Sequence, residues 1–454
     1  MPATLARLNS YLRIPAISCD PAHDADVEKL ALAIAQDVKA LGLDNVRVLR
    51  LSGAKPLVAA EWLKAGSDKP TLLIYGHFDL QPVQGEPWDT PPHEPQVKDG
   101  RLYARGAADD MGGWVSHMAA LEAWFAQTGS LPCNVKLVIE GEEEIGSPEL
   151  ERYMDEYPSV FEADVMVLTD CENPATDIPG LTVSLRGICE AEIHCEALKA
   201  DVHSGLWGNM VPDPAMCLTL LLARLVDENG RMKLGRMPVD SAWRAASRDV
   251  PLDETVIREG ARLAPGVPPL PEEERSPAEW LWRQPAITLL STTLPTPDSE
   301  KNAVRGKASA AISLRLAPGQ TKEQMVKLLQ EVLLKDPPGG VKVELVIRDV
   351  AGESWLYEPK GPAFDAADRA YTRAWGRPLL QVGIGGSIPF VALFGRRYSN
   401  LPLILNGVLD PLSGAHGPNE SLDLAVFEKA ILANVALLAE LAVETSLLGS
   451  NNAQ

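Results

Sequence analysis

The chain has 454 residues, 46% apolar and 23% charged, a balance that suits folded globular domains and excludes a disordered polymer. Acidic residues outnumber basic ones 62 to 42, a formal charge of -20, which excludes nucleic acid as a natural partner because phosphate binding demands a positive surface. At this length one hydrophobic core does not suffice, so two domains are expected.

In chain order, residues 1–18 carry Arg7 and Arg13 inside an apolar pattern. That predicts an amphipathic helix running into a loop at Pro15, not a signal peptide. No stretch approaches the roughly 20 uninterrupted apolar residues of a membrane helix, so a cytoplasmic protein is expected. The runs 69–75 (KPTLLIY), 134–139 (NVKLVI) and 164–168 (DVMVL) predict buried strands, with a helix over 111–126 between the first two. Each run ends in a polar cluster: His77 and Asp79, Glu140 to Glu144, and Asp170. In open α/β sheets the loops after strand C-terminal ends are where sites form.

From about Gly180 the texture changes. Residues 181–197 and 307–316 alternate polar and apolar, as in a half-exposed antiparallel sheet, and 212–227 and 321–335 predict helices. Residues 265–277, rich in Pro and Glu, predict an irregular loop. After Val350 a helix over 362–375, a strand over 402–405 and a long helix over 422–447 restore the first pattern. The expected fold is therefore α/β: a domain of residues 1–180 and 356–454 with a mixed, mostly parallel sheet flanked by helices, and an inserted α+β domain over 181–355. Six cysteines without CxxC spacing predict reduced thiols, with no disulfide framework and no zinc finger.

Five residues can ligate metal: His77, Asp109, Glu144, Asp170 and His416. His77 and Asp79, two apart on leaving a strand, point to one side, and a carboxylate beside an imidazole is a common support for a metal ligand. A lone His-x-Asp is more often structural. Asp109 and Asp110 lie between glycines just before a helix; an N-cap explains one of them, and a carboxylate bridging two cations explains the other. Glu142, Glu143 and Glu144 would ordinarily read as a solvated acidic loop. Directly after a buried strand, however, they repel one another unless positive charge compensates. One of them can ligate a metal while its neighbour faces a water as general base. Two zinc ions need a bridging carboxylate, a bridging water and at least two further protein ligands each, which this set can supply.

The segments Tyr75-Gly-His77-Phe-Asp79, Trp88-Asp-Thr-Pro-Pro, Asp99-Gly-Arg-Leu-Tyr-Ala-Arg-Gly106, Asp109-Asp110, Glu140-Gly-Glu-Glu143-Glu144-Ile-Gly-Ser147 and His203-Ser-Gly together resemble those of dinuclear zinc peptidases. That group includes carnosinases, cytosolic non-specific dipeptidases, succinyl-diaminopimelate desuccinylase and acetylornithine deacetylase, and the resemblance is nearest the dipeptidase branch. It implies that Asp109 bridges two divalent ions (Zn2+, with Mn2+ or Co2+ as alternatives), His77 and Asp170 completing one and Glu144 and His416 the other. It implies a cis peptide after Asp109, Asp79 orienting His77, and Glu143 as the base that activates the bridging water. The inserted domain would be a lid and dimerisation domain of a homodimer. His203, otherwise readable as a turn residue, would reach across the dimer to the oxyanion. Arg315, Gly386, Ser387 and, by a looser match, Asn302 would hold the substrate's carboxylate. The implied activity is hydrolysis of the amide bond of dipeptides; the alternative is deacylation of acetyl-, succinyl- or carbamoyl-amino acids at the same metal pair. Met111, Asn209 and Arg305 depart from the family's usual lysine, glycine and proline, which bears on substrate preference and not on the ligands.

Overall fold

A computed structural model of the chain describes residues 1–350, 352–386, 389–398 and 401–448. They form two compact units, one of Met1–Val183, Glu358–Val382 and Leu393–Gln454, the other of Ser184–Tyr357 and Gly383–Ala392. The sequence-based boundaries differ from these by a few residues, and they assign Gly383–Ala392 to the first unit. That short excursion has no change of composition to reveal it; it joins the second unit through contacts such as Arg186 N to Ile384 O at 3.2 Å.

The strands that matter below are β1 (Asp44–Leu49), β2 (Leu57–Trp62), β3 (Thr71–His77), β4 (Asn134–Glu140), β5 (Val165–Leu168), β6 (Gly187–Glu196), β7 (Ala286–Thr292), β8 (Lys307–Leu316), β9 (Lys342–Ile347) and β10 (Leu403–Leu405). The helices are α1 (Pro2–Leu12), α2 (Asp24–Leu41), α3 (Met111–Thr128), α4 (Pro214–Ala223), α5 (Lys322–Leu333), α6 (Pro362–Trp375) and α7 (Leu424–Leu441). The first unit holds a six-stranded sheet in the order β1-β2-β4-β3-β5-β10. The β4-β3-β5-β10 portion is parallel, and β1 and β2 extend it antiparallel. The sequence reading missed β1, β2 and α2, whose residues lie outside its polar-tipped runs.

β4 and β5 are buried along their whole length and β3 from Leu72 onward. Continuous apolar runs of this kind belong to strands covered on both faces. His77 stands opposite Glu140 and Tyr75 opposite Leu168, so β3 and β4 finish level and β5 ends two residues short of them. This register brings the three polar clusters to one edge of the sheet. α3 packs on β3 and against α1 and α7, which is why every residue from Met111 to Leu121 is buried. α7 starts two residues later than expected because Asp423 caps it, accepting the N–H groups of Ala425 and Val426.

The second unit holds an antiparallel sheet in the order β7-β8-β6-β9. β6 alternates strictly between buried and half-buried residues. Cys189, Ala191, Ile193 and Cys195 join Leu218 and Leu221 of α4 and Met325, Leu329 and Leu333 of α5 in one core. Cysteine serves there as a small apolar residue, and all six cysteines are free. Among the described residues no helix is long and apolar enough to cross a membrane.

Candidate metal centre

His77 ends β3 and is buried. One step on, Phe78 N donates to Glu140 O at 2.8 Å, continuing the β3–β4 pairing beyond the strand. Asp79 is thereby held inside the protein, and its two carboxylate oxygens accept the backbone N–H groups of Glu143 and Glu144 at 3.0 Å each. His77 Nδ1 lies 3.1 Å from the Asp79 carbonyl and 3.4 Å from its carboxylate. Asp79 therefore orients the imidazole chiefly through its backbone, while its side chain fixes the turn Glu143–Ile145 that follows β4.

The Nε2 of His77 is 3.1 Å from Asp109 Oδ1 and 3.9 Å from Asp170 Oδ2. His416 Nε2, on the exposed side, lies 3.1 Å from Asp109 Oδ2 and 3.2 Å from Glu144 Oε2. Asp109 thus turns one oxygen toward each histidine. Ligand atoms of His77, Asp109 and Glu144 fall within 4.8 Å of one another, as do those of His77, Glu143 and Asp170. Glu143 and Glu144, adjacent in sequence, thus fall in different groups around His77.

The electrostatics of this cluster call for cations. Burial first, and then repulsion from neighbouring carboxylates, push Glu143 well above the usual carboxylate range and raise Glu144. Asp170 is pushed up to about 7 by burial and by the charge of Asp109. Asp109 alone is pulled down, because its hydrogen bonds to His416 and His77 outweigh its burial. His416 is pushed up to about 11 by its bonds to Asp109 and Glu144. Protonated imidazoles stand here where divalent ions can supply the same positive charge. Two histidines and several carboxylates around a two-sided Asp109 fit a pair of such ions.

Two supports escaped the sequence reading. Asp110 occupies the N-cap position of α3, but its side chain makes no capping bond. Its Oδ2 instead accepts His77 N at 3.2 Å and Thr169 Oγ1 at 2.7 Å, tying the end of β3 to the residue before Asp170. The flanking glycines make room for it: a Cβ at Gly113 would stand 2.1 Å from Asp110 Oδ1, and one at Gly76 2.5 Å from its Oδ2. The Asp109–Asp110 peptide is cis. The second support is Glu420. Its Oε1 accepts the N–H groups of Ala108 and Asp109 at 3.1 Å each, and its Oε2 accepts Gly106 N and Arg105 Nη1 at 3.0 Å. Arg105 also pairs with Glu86 at 3.1 Å and lies over the Trp88 ring at 5.3 Å, so the Trp88 and Arg105 motifs serve to brace the Asp109 loop. No local pattern signals Glu420, because its partners lie more than 300 residues away. Glu420→Gln should lower metal affinity about 10- to 100-fold, read by chelator competition; unaltered affinity would show that the brace is dispensable.

The described substrate-side candidates lie in the second unit. His203 caps the short helix Ser204–Trp207, its Nδ1 accepting Gly205 N–H at 3.0 Å, and its strand pairs with the residues after Asn302. The Asn302 carbonyl accepts Ser204 N–H at 3.1 Å. Arg315 is on β8, a separate element, and Gly386 follows the strand Leu380–Ile384. Ser387 lies outside the described residues.

Residues 73–442 match the profile of peptidase family M20/M25/M40. The chain is 32% identical over 421 residues to a cysteinylglycine-S-conjugate dipeptidase of Corynebacterium striatum, covering 92% of this chain and 91% of that one. It is 28% identical over 387 residues to a beta-Ala-His dipeptidase of Rattus norvegicus, covering 81% and 76%. In fold it is similar to an M20 family metallo-carboxypeptidase from Sulfolobus solfataricus, with a TM-score of 0.77 at 24% identity over 98% of this chain and 100% of that one. Human carnosine dipeptidase 1 gives a TM-score of 0.75 at 24% identity, over 97% and 96%. A profile match over most of the chain and a relative this similar along nearly its full length make the protein a member of peptidase family M20/M25/M40.

Proposed function

We propose that this chain is a metal-dependent dipeptidase. The observation that carries the reading is Asp109, whose two oxygens face His77 and His416 with further carboxylates behind each. The dipeptidase relatives support dipeptides as substrates over N-acyl amino acids. His77, Asp109 and Asp170 would hold one divalent ion and Asp109, Glu144 and His416 the other. Bound there, two such ions would lower the pKa of a water and polarise the scissile carbonyl. Zn2+ suits the mixed imidazole and carboxylate donors, with Mn2+ or Co2+ as alternatives.

Glu143, held at its backbone N–H by Asp79, takes the proton of the attacking water and returns it to the departing amine. Asp79 fixes the His77 ring. His203 stabilises the developing oxyanion, and Arg315, Asn302, Gly386 and Ser387 receive the substrate's carboxylate. A homodimer has support in β7, an edge strand without charged residues that exposes Leu289 and Leu290. The cytoplasm is the proposed compartment.

The test is a panel of dipeptides beside acetyl-, succinyl- and carbamoyl-amino acids, run on chelated protein reloaded with each metal. Preferential cleavage of dipeptides is expected; faster release of acyl groups would make the chain a deacylase. An active monomer in sedimentation of the same preparation would remove His203 from the oxyanion.

A further inference from the structure

The least accounted-for charge in the second unit is Arg186, which is only 9% exposed. Its Nε donates to Gly385 O at 3.1 Å and its Nη1 reaches Gln284 O at 3.5 Å. Both acceptors are neutral, and among the described residues no carboxylate pairs with it. The charge that does act on it is a like one, from Arg315, which stands opposite Ile188 in the β8–β6 pairing, two residues on from Arg186. Arg315 also has no ion pair and no side-chain hydrogen bond among the described residues. A guanidinium stays protonated under working conditions, so burial leaves the charge in place, and an unpaired buried charge is strongly unfavourable. Burial, and then Arg315, push Arg186 down to about 10.

Other arginines of this unit are provided for. Arg244 and Arg275 share the buried Glu279, and Arg236 pairs with Asp227. Arg283 is as buried as Arg186 and also lacks a carboxylate, but its guanidinium lies 4.4 Å over the face of Trp243. Among the described residues, Arg186 and Arg315 have neither kind of partner. The chain beside Arg186 is kept bare: a Cβ at Gly385 would stand 2.9 Å from Arg186 Nη2, and one at the next residue, Gly386, would meet nothing nearer than 4.0 Å.

We propose that Arg186 is a second anion-binding guanidinium, acting with Arg315 on the free C-terminal carboxylate of the substrate, and that it makes this carboxylate a requirement. The inference rests on the dipeptidase reading and adds to it a specificity-determining residue. Two guanidiniums can offer a carboxylate parallel N–H donors on both oxygens, an arrangement that an amide in its place cannot use.

The experiment compares Leu-Gly with its C-terminal amide in the wild type, Arg186→Gln and Arg186→Lys. The wild type should favour the acid by at least about 100-fold in kcat/KM. Arg186→Gln should lose about 10- to 100-fold of that preference, chiefly through KM for the acid, and Arg186→Lys, which keeps the charge without the fork, should fall between. Acid and amide falling together in either variant would mean that Arg186 only supports the loop at Gly385, and the proposal fails. Calorimetric binding of Leu-Gly with its scissile amide replaced by –CH2–NH–, as acid and as amide, separates this from the reading it rests on. Failure to cleave any dipeptide sinks the dipeptidase reading. Equal binding of both forms to the wild type sinks the anion site even if dipeptides are cleaved.

Discussion

Glu143→Ala is expected to keep two divalent ions per chain and to lose about 100- to 10,000-fold in kcat, the range a positioned proton-transfer group contributes. KM should change little, because the residue is assigned to proton transfer and not to grip. The geometry makes this a demanding test, since Glu143 lies close enough to His77 and Asp170 to act as a ligand itself. Elemental analysis decides: one ion lost on substitution would make Glu143 a ligand, and full activity would remove it from the reaction altogether. Glu143→Gln is the companion variant. It keeps the shape and the backbone N–H that Asp79 accepts but cannot take a proton, so it should be nearly as inactive as the alanine variant.

Exhaustive chelation should abolish turnover, and the loss of thermal stability it causes should deepen as pH rises. The sign follows from the shifts in the metal-free cluster. Asp170, held near 7, and the raised Glu143 and Glu144 bind protons more tightly folded than unfolded, where a carboxylate titrates near about 4. Their contribution is therefore fully present below that value and is lost as pH climbs through their folded range. His77 is raised in the same sense, its bonds to Asp109 and Asp79 outweighing burial. His416, at about 11 folded against about 6.5 unfolded, gives up its contribution only as pH rises through this span. Asp109, depressed, works the opposite way and is outnumbered. Bound cations reverse the trend, because ligands must be deprotonated to hold them. The melting-temperature gap between metal-loaded and chelated protein should accordingly widen from pH 5 to pH 8, and loading at pH 7 should release protons. A gap that stays constant across this range, or activity that survives chelation, would contradict the metal assignment.

The sequence by itself determined the candidates for the chemistry. His77, Asp109, Glu143, Glu144, Asp170 and His416 were legible because each follows an apolar strand or sits in a glycine-punctuated loop, and because several carboxylates beside buried strands are untenable without positive charge. The helix at Pro362–Trp375 and the buried strands were legible for a related reason: apolar spacing is a local property. Tertiary structure decided what depends on partners far away in the chain. Asp110 looked like a helix cap and proved to be a brace between β3 and Thr169. Glu420 carries no local mark, yet it holds the loop of Asp109 from more than 300 residues away. The antiparallel addition of β2 to β4, and the assignment of Gly383–Ala392 to the second unit, likewise rest on hydrogen bonds between distant segments. Residue types and spacing reveal which groups can ligate, but a support is defined by the backbone N–H groups it reaches, and only the folded chain brings those together.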